Sequence, residues 1–503
     1  MTEKLRPSKA GFSPDRRPPY GIIDIGSNSV RLVVYDQLGR APLPRFNEKS
    51  LCRLGEGLAE TGVIAPENFR RTVEATRRFA AIAEAMHVAE LDVTATEAMR
   101  RASNGPELAK TIERETGLKV RVLGGKEEAH YSTLGVISGF YRPVGAVGDM
   151  GGGSLEVALA LGERVGDVSV SLPLGALPVE SLLGLGREEA KREIDEQLKA
   201  GLPLALAQST FYAVGGGWRA LARAHMTLAK APVRVTHGYA IPASEARDFA
   251  KSIWRATLAK PAAVPGVQPR RIRSLPSAAI VLDRLLKRIG AERVVFSALG
   301  LREGLLYARL SREEQARDPL IEGARLIGLP AARVPEFADA LADWTLGLFG
   351  AETARERRLR VAACALSDIA WRDAAELRAE ETFRRVLQFP FIGLDHQDRV
   401  FLAAALHYRY DYKDGAWLEP SIRLIGEEGR RRARILGSAL RLAYRFSGTS
   451  REVLAGARLR MEAERLVLEV APAARAPDSE VVAERLKWLA NAMGLKYAAV
   501  EER

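Results

Sequence analysis

The stretch Gly21–Asp36, GIIDIGSNSVRLVVYD, carries an acid, Asp24, at the end of an apolar run. A turn of small residues follows it: Gly26, Ser27, Asn28 and Ser29. The stretch Gly145–Ala160, GAVGDMGGGSLEVALA, repeats the device 125 positions later. Asp149 takes the place of Asp24, and Gly151, Gly152, Gly153 and Ser154 form the turn. One such turn fits an ordinary hairpin. Two of them call for a chain built as two halves that hold something between them. In both places strand-forming residues follow the turn. Each acid therefore belongs to a strand–turn–strand unit, whereas a dinucleotide or P-loop turn leads into a helix.

Glycine and serine let backbone N–H groups come close to an oxyanion. Ser27, Asn28 and Ser29 add side-chain donors, and Gly151, Gly152, Gly153 and Ser154 make the facing cradle. A third glycine turn in TFYAVGGGWRALARAHM adds Gly215 and Gly216 to the candidate phosphate-binding set. An acid before each turn suits Mg²⁺, a hard cation held by one or two carboxylates plus phosphate oxygens. Asp149 and Asp24 are the candidate ligands, and Glu156, two residues past Ser154, is placed to reach the same ion.

A chain of 503 residues is long for one core, and three or four domains are expected. No apolar run approaches the roughly 18 residues of a membrane span. Cys52 and Cys364 are the only cysteines, which leaves neither a disulfide framework nor a Cys zinc site and makes a reducing cytoplasm the default. The formal net charge of +12 points to an anionic partner: nucleic acid, a membrane surface or a polyanionic substrate. A solvated Arg-rich surface is the plain alternative. The first 20 residues, basic and Pro-rich without an apolar h-region, read as a disordered tail rather than a secretory signal.

The spacing predicts a helix over Glu67–Val88 with Phe69, Val73, Thr76, Ala80 and Ala83 on its inner face. A strand is expected over Leu118–Leu123 and a helix over Glu127–Gly139. Strands dwindle after about Arg312, residues 318–447 read as amphipathic helices, and ARLRMEAERLVLEVAP returns to alternation.

DIGSNSVRLVVYD, GDMGGGSLEVA, AVGGGWRALA and LREGLLY resemble the exopolyphosphatase / guanosine pentaphosphate phosphatase family, strongly over about 20–310 and weakly after that. The resemblance implies an α/β fold class with two ribonuclease-H-like domains of the actin-like ATPase superfold. After a tail at 1–19, these would occupy 20–135 and 136–312. An all-helical HD-like domain at 318–447 and a small C-terminal α/β domain at 448–503 would follow.

The resemblance also assigns the catalytic glutamate to Glu128, in VLGGKEEAHYSTLGV. In the first turn of a helix, the positive dipole end is expected to keep this carboxylate ionised, with modest basicity. That suffices for phosphoryl transfer, whose loose transition state needs little nucleophile activation. Glu127 reads as a plain helix N-terminal acid. In TATEAMRRASNG the residues Thr96, Arg100 and Asn104 fall on the family's pattern. Arg100 is the candidate guanidinium fork on a phosphate, with a helix salt bridge as the alternative. Gly175 matches a glycine turn beside the phosphate path. Arg302 and Glu303 are either part of the site or a structural cap and ion pair.

Two departures stand out. Gly217 occupies a place where many relatives carry Thr or Ser, which puts nucleotide specificity in doubt. Ser367-Asp368 stands where a metal-dependent HD phosphohydrolase needs His-Asp, and His396 and His407 lack an evident partner set. The helical domain is thus expected to be catalytically silent, extending a binding surface and supporting a homodimer. GEEGRRRARILGSALRLAYRF supplies a basic helix that a polyanion could follow, or a solvated face. The implied activity is Mg²⁺-dependent, processive removal of the terminal phosphate of inorganic polyphosphate. Guanosine pentaphosphate in the same site, phosphotransfer to a nucleotide, and a non-catalytic polyphosphate- or alarmone-binding module are the alternatives. Neither a membrane nor nucleic acid is expected as a partner.

Overall fold

The computed structural model describes residues 18–256, 264–268, 272–474 and 479–502. The expected N-terminal tail lies outside the described residues, apart from Pro18 and Pro19.

The first sheet is built around β1 (Tyr20–Ile25). It pairs antiparallel with β2 (Ser29–Tyr35), which pairs with β3 (Pro44–Leu51), and parallel with β4 (Glu90–Ala95), which pairs with β5 (Val120–Val122). The order is β3-β2-β1-β4-β5. Both faces of β1 are covered, which is why it reads as a continuous apolar run. Ile23 and Ile25 face a core that includes Phe79, whereas Tyr20 and Ile22 pack with Leu305 and Leu306. The helix Pro66–Ala85 buries Thr72, Ala75, Thr76, Phe79 and Ala83. Its inner face is therefore rolled by about one residue from the expected stripe, and Phe69, Val73 and Ala80 are only half-buried.

The second sheet repeats the plan. β6 (Val144–Met150) pairs antiparallel with β7 (Leu155–Leu161), which pairs with β8 (Arg164–Leu172). On its other side β6 runs parallel to β9 (Thr210–Val214). With β10 (Tyr239–Pro242) and β11 (Arg293–Phe296) the order is β10-β11-β9-β6-β7-β8. The run β8-β7-β6-β9-β11 matches β3-β2-β1-β4-β5, so β6 plays the part of β1 and Asp149 that of Asp24. β10 is an added antiparallel edge.

The helix Gly125–Gly139 joins the two lobes and runs unbroken through the boundary expected at 135/136. Its last turns, Val136 and Ile137, pack into the second lobe with Val147 and Tyr212, so the lobes share this element. The helix Leu301–Arg309 crosses it backbone to backbone. A Cβ on Gly304 would fall 1.7 Å from the Tyr131 carbonyl oxygen, and one on Gly135 2.1 Å from that of Gly300.

Beyond Arg312 the chain is helical from Pro319–Ala331 to Gly426–Ser447. A three-stranded sheet then follows, β12 (Ala457–Met461), β13 (Arg465–Val470) and β14 (Tyr497–Glu502), with the helix Glu480–Met493. The expected domains at 318–447 and 448–503 are one packed unit: Leu341, Phe383 and Leu436 share a core with Leu466, Leu468 and Leu486. Within it Asp368 is buried and accepts from the Arg333 backbone N–H at 3.1 Å and from its Nε and Nη2, both at 2.8 Å. A guanidinium fork thus takes up the carboxylate of Ser367-Asp368. Among the described residues no helix is long and apolar enough to cross a membrane.

Candidate active site between two matched turns

Each turn is closed by the same bond. The Gly26 N–H donates to the Ser29 carbonyl at 3.0 Å, and the Gly151 N–H to that of Ser154 at 2.9 Å. The turns abut, because a Cβ on Gly152 would lie 2.9 Å from Ser27 Cβ. Their peptide planes are fixed from behind. The carbonyls of Gly151, Gly152 and Gly153 accept from the N–H groups of Ala176 (3.1 Å), Leu177 (2.8 Å) and Gly175 (3.3 Å). A trans peptide points its N–H opposite its C=O, so the N–H groups of Gly152, Gly153 and Ser154 face away from that loop. In the first lobe the carbonyls of Ser27 and Asn28 are held by the N–H groups of Gly55 (2.7 Å) and Arg53 (3.1 Å), which turns the Asn28 and Ser29 N–H groups the same way. Gly175 is required where it stands: a Cβ there would fall 2.3 Å from the Gly153 carbonyl carbon.

Acids converge on the turns. The register sets Asp149 opposite Glu156 across β6 and β7. The helix Gly125–Gly139 presents Glu128 and, four residues on, Ser132 on one face. Ser132 Oγ donates to Asp149 Oδ2 at 2.5 Å, and Ser171 Oγ to Glu156 Oε1 at 2.8 Å. Glu128 and Glu156 are 6% and 4% exposed. Burial raises Glu128 to about 7, against the pull of Arg100 and with help from the charges of Asp149 and Asp24. Burial and the facing Glu128 raise Glu156 to about 8. Burial also raises Asp149, with Ser132 and the Arg219 and Arg302 guanidinium groups acting the other way. The expectation of a readily ionised, weakly basic Glu128 is thus corrected, because loss of solvent outweighs the helix dipole. Glu127 is the helix acid it was read to be, accepting the Gly124 N–H at 2.9 Å and pairing with Arg121.

The cations are arranged around these acids. Arg100 Nη1 donates to Glu128 Oε1 and to the Leu123 carbonyl oxygen. Its partner is therefore on another helix, not its own. Arg302 Nη1 donates to Asp24 Oδ2 at 2.8 Å, and Glu303 accepts from Tyr35 Oη at 2.6 Å and from the Gly300 N–H at 2.9 Å. The LREG segment is accordingly both cap and inter-lobe ion pair. Arg219, unforeseen and half-buried, donates from Nη1 to the Ala298 carbonyl at 3.1 Å; loss of solvent lowers it to about 10, with Arg302 acting in the same sense and Asp149 opposing. It sits four residues past Gly215, and that spacing was the available signal. Gly215 itself, at φ +115°, lets the third turn press on β6, where a Cβ would meet the Met150 carbonyl oxygen at 2.5 Å. Gly217 packs against Ala278, with 2.7 Å left for a Cβ, so helix packing accounts for that departure. Asn104 binds both backbone groups of Ile64, at 2.9 and 3.0 Å, and is structural.

The donors facing the turns are all oxygens, as a hard divalent cation requires. Among the described residues no three His, Cys, Asp or Glu side chains form a ready metal cage. A cation here would therefore complete its shell from phosphate oxygens and water, which suits Mg²⁺-type binding. Of the three candidate ligands, Asp149 and Glu156 face each other, while Asp24 shares one oxygen with Arg302.

The model of the Ppx/GppA phosphatase family matches residues 33–313, and that of the exopolyphosphatase C-terminal region matches 320–500. Exopolyphosphatase 1 of Mycobacterium tuberculosis is 30% identical over 315 residues, covering 58% of this chain and 88% of that protein. A crystal structure of an exopolyphosphatase from Cytophaga hutchinsonii superposes with a TM-score of 0.52 at 22% identity, over 58% of this chain and 97% of that one. The Aquifex aeolicus member of the Ppx/GppA family superposes with a TM-score of 0.50 at 24% identity, over 57% and 96%. Over that part of the chain these two likenesses establish the fold.

Proposed function

From the premise that this chain belongs to the Ppx/GppA phosphatase family, we propose that it is an exopolyphosphatase, a hydrolase that removes the terminal phosphate of inorganic polyphosphate. The observation that carries this reading is the pair of abutting turns, each fixed from behind and each preceded by an acid. A terminal phosphoryl group fits between them, held by the N–H groups around Ser27–Ser29 and Gly152–Ser154. Arg100, Arg219 and Arg302 supply positive charge around it, and the turn at Gly215 and Gly216 closes the cradle beside Met150.

Glu128 aligns a water molecule and takes its proton as the water oxygen bonds to the terminal phosphorus. The bond from that phosphorus to the bridging oxygen breaks, and the negative charge stays on the shortened chain. A carboxylate raised to about 7 accepts that proton near neutral pH far better than an exposed one would. Charge neutralisation and positioning do most of the remaining work. A bound Mg²⁺, held by Asp149 and Glu156 and by the Asp24 oxygen that Arg302 leaves free, would neutralise charge on the phosphoryl oxygens.

The net charge of +12 suits a long polyanion, and the C-terminal unit extends the surface along which it slides. That unit is HD-like in this reading, without metal chemistry, since Arg333 takes up Asp368. The two lobes are read as ribonuclease-H-like halves, the protein as a cytoplasmic homodimer, and guanosine pentaphosphate as a second substrate of the same site. Phosphate release from long polyphosphate and from guanosine pentaphosphate, with and without Mg²⁺, tests the proposal. Mg²⁺-dependent release with the higher kcat/KM on polyphosphate supports it. No release from either substrate refutes it.

A further inference from the structure

One acid at the turns has no part in that chemistry. Glu97 opens the short helix Glu97–Arg101 of the first lobe and is 7% exposed. Its Oε2 accepts from Ser27 Oγ at 3.2 Å, and its Oε1 from Arg101 Nη1 at 2.8 Å. The same carboxylate lies flat on the opposite turn: a Cβ on Gly153 would fall 1.8 Å from Glu97 Oε2 and 3.0 Å from Oε1. A single carboxylate from the first lobe therefore touches both phosphate turns at once. A Cβ at Gly153 would have to push this side chain aside.

We propose that Glu97 is an internal anion that competes with the phosphoryl group for the cradle. The inference rests on the reading of the two turns as the phosphate site. A hydroxyl has one proton to donate. While Ser27 Oγ gives it to Glu97, it is not available to a phosphoryl oxygen. A fixed negative charge pressed on Gly153 also opposes a second anion on the adjoining N–H groups, and in a buried setting that repulsion is poorly screened. Phosphate binding must break the Ser27–Glu97 bond or move the carboxylate off Gly153. Glu97 therefore sets a threshold. A long chain with many contacts along the basic surface crosses it readily. Free orthophosphate, with only the cradle to bind, crosses it poorly, and product inhibition is suppressed.

The test uses Glu97→Gln, which keeps the shape and an acceptor for Ser27 but loses the charge, and Glu97→Ala, which loses both. The readouts are the inhibition constant of orthophosphate and KM against kcat on long polyphosphate, for the full-length protein. Release of a competing charge-assisted hydrogen bond should lower the orthophosphate constant about five- to tenfold in Glu97→Gln, and further in Glu97→Ala. KM should fall less than the orthophosphate constant. A merely structural role raises KM or lowers kcat and leaves the orthophosphate constant unchanged or weaker. That outcome in Glu97→Gln overturns the inference. If the wild-type protein neither releases nor binds phosphate, the reading of the turns fails instead, and the inference falls with it.

Discussion

The substitution Glu156→Gln isolates the electrostatic load of the site. Glu156 is 4% exposed, and burial together with Glu128 raises its carboxyl from 4.5 to about 8. The direction fixes the sign. Below about 4.5 the acid is protonated folded and unfolded, and nothing is lost. As pH rises toward 8 the unfolded chain ionises freely while the folded one resists, so the cation-free protein loses stability across that window. From 4.5 to about 8, at ~1.36 kcal/mol per pH unit, the ceiling is about 5 kcal/mol. Relaxation of the site and sharing of one proton between Glu128 and Glu156 should leave about 2 kcal/mol. Glu156→Gln removes the load, so it should stabilise the cation-free first lobes at pH 8.5 by that amount and change little at pH 5. It should also lower phosphate release at every pH, because the proposed cation loses one of its carboxylate ligands. The assay is urea unfolding at both pH values with the divalent cation chelated, followed by a pH–rate profile. Equal destabilisation at both pH values would refute the assignment of Glu156 to a crowded carboxylate pair.

Gly304→Ala should disable the crossing of the two inter-lobe helices. Its Cβ has only 1.7 Å to the Tyr131 carbonyl oxygen, so a loss of about 3 kcal/mol or more is expected in thermal unfolding. Asp368→Asn weakens an ion pair whose Asp368 is buried but whose Arg333 is partly exposed, and should destabilise the C-terminal unit by about 1 to 2 kcal/mol. Phosphate release by the folded fraction should stay within about twofold if, as proposed, the pair is structural and the helical unit takes no part in the chemistry.

The repeat of Asp24–Ser29 at Asp149–Ser154 was legible in the sequence because both ends of each device are local: an acid, one apolar residue, then a glycine-closed turn. Glu128 was legible only through the resemblance, since two acids at a helix start are commonplace. Its basicity was misjudged because the helix dipole is a local cue, whereas burial depends on β7, β8 and Arg100 folding over it. The bond from Arg302 to Asp24 spans 278 positions and leaves no trace in local pattern. Ser132 was within reach, one helical turn past Glu128, but only the position of Asp149 gives it meaning. Packing crosses the expected boundaries at 135/136 and 447/448 for a shared reason. A helix can serve two lobes, and an apolar face can belong to one core across a change from helix to strand.

Glu128→Gln brings the account to its simplest test. The variant keeps the shape of the side chain beside Arg100 and removes only the carboxylate proposed to take the proton from water. Phosphate release from long polyphosphate should fall by about 10²- to 10⁴-fold, with polyphosphate binding retained within a few-fold. Release at an undiminished rate would contradict the assignment of the water-activating carboxylate to this site.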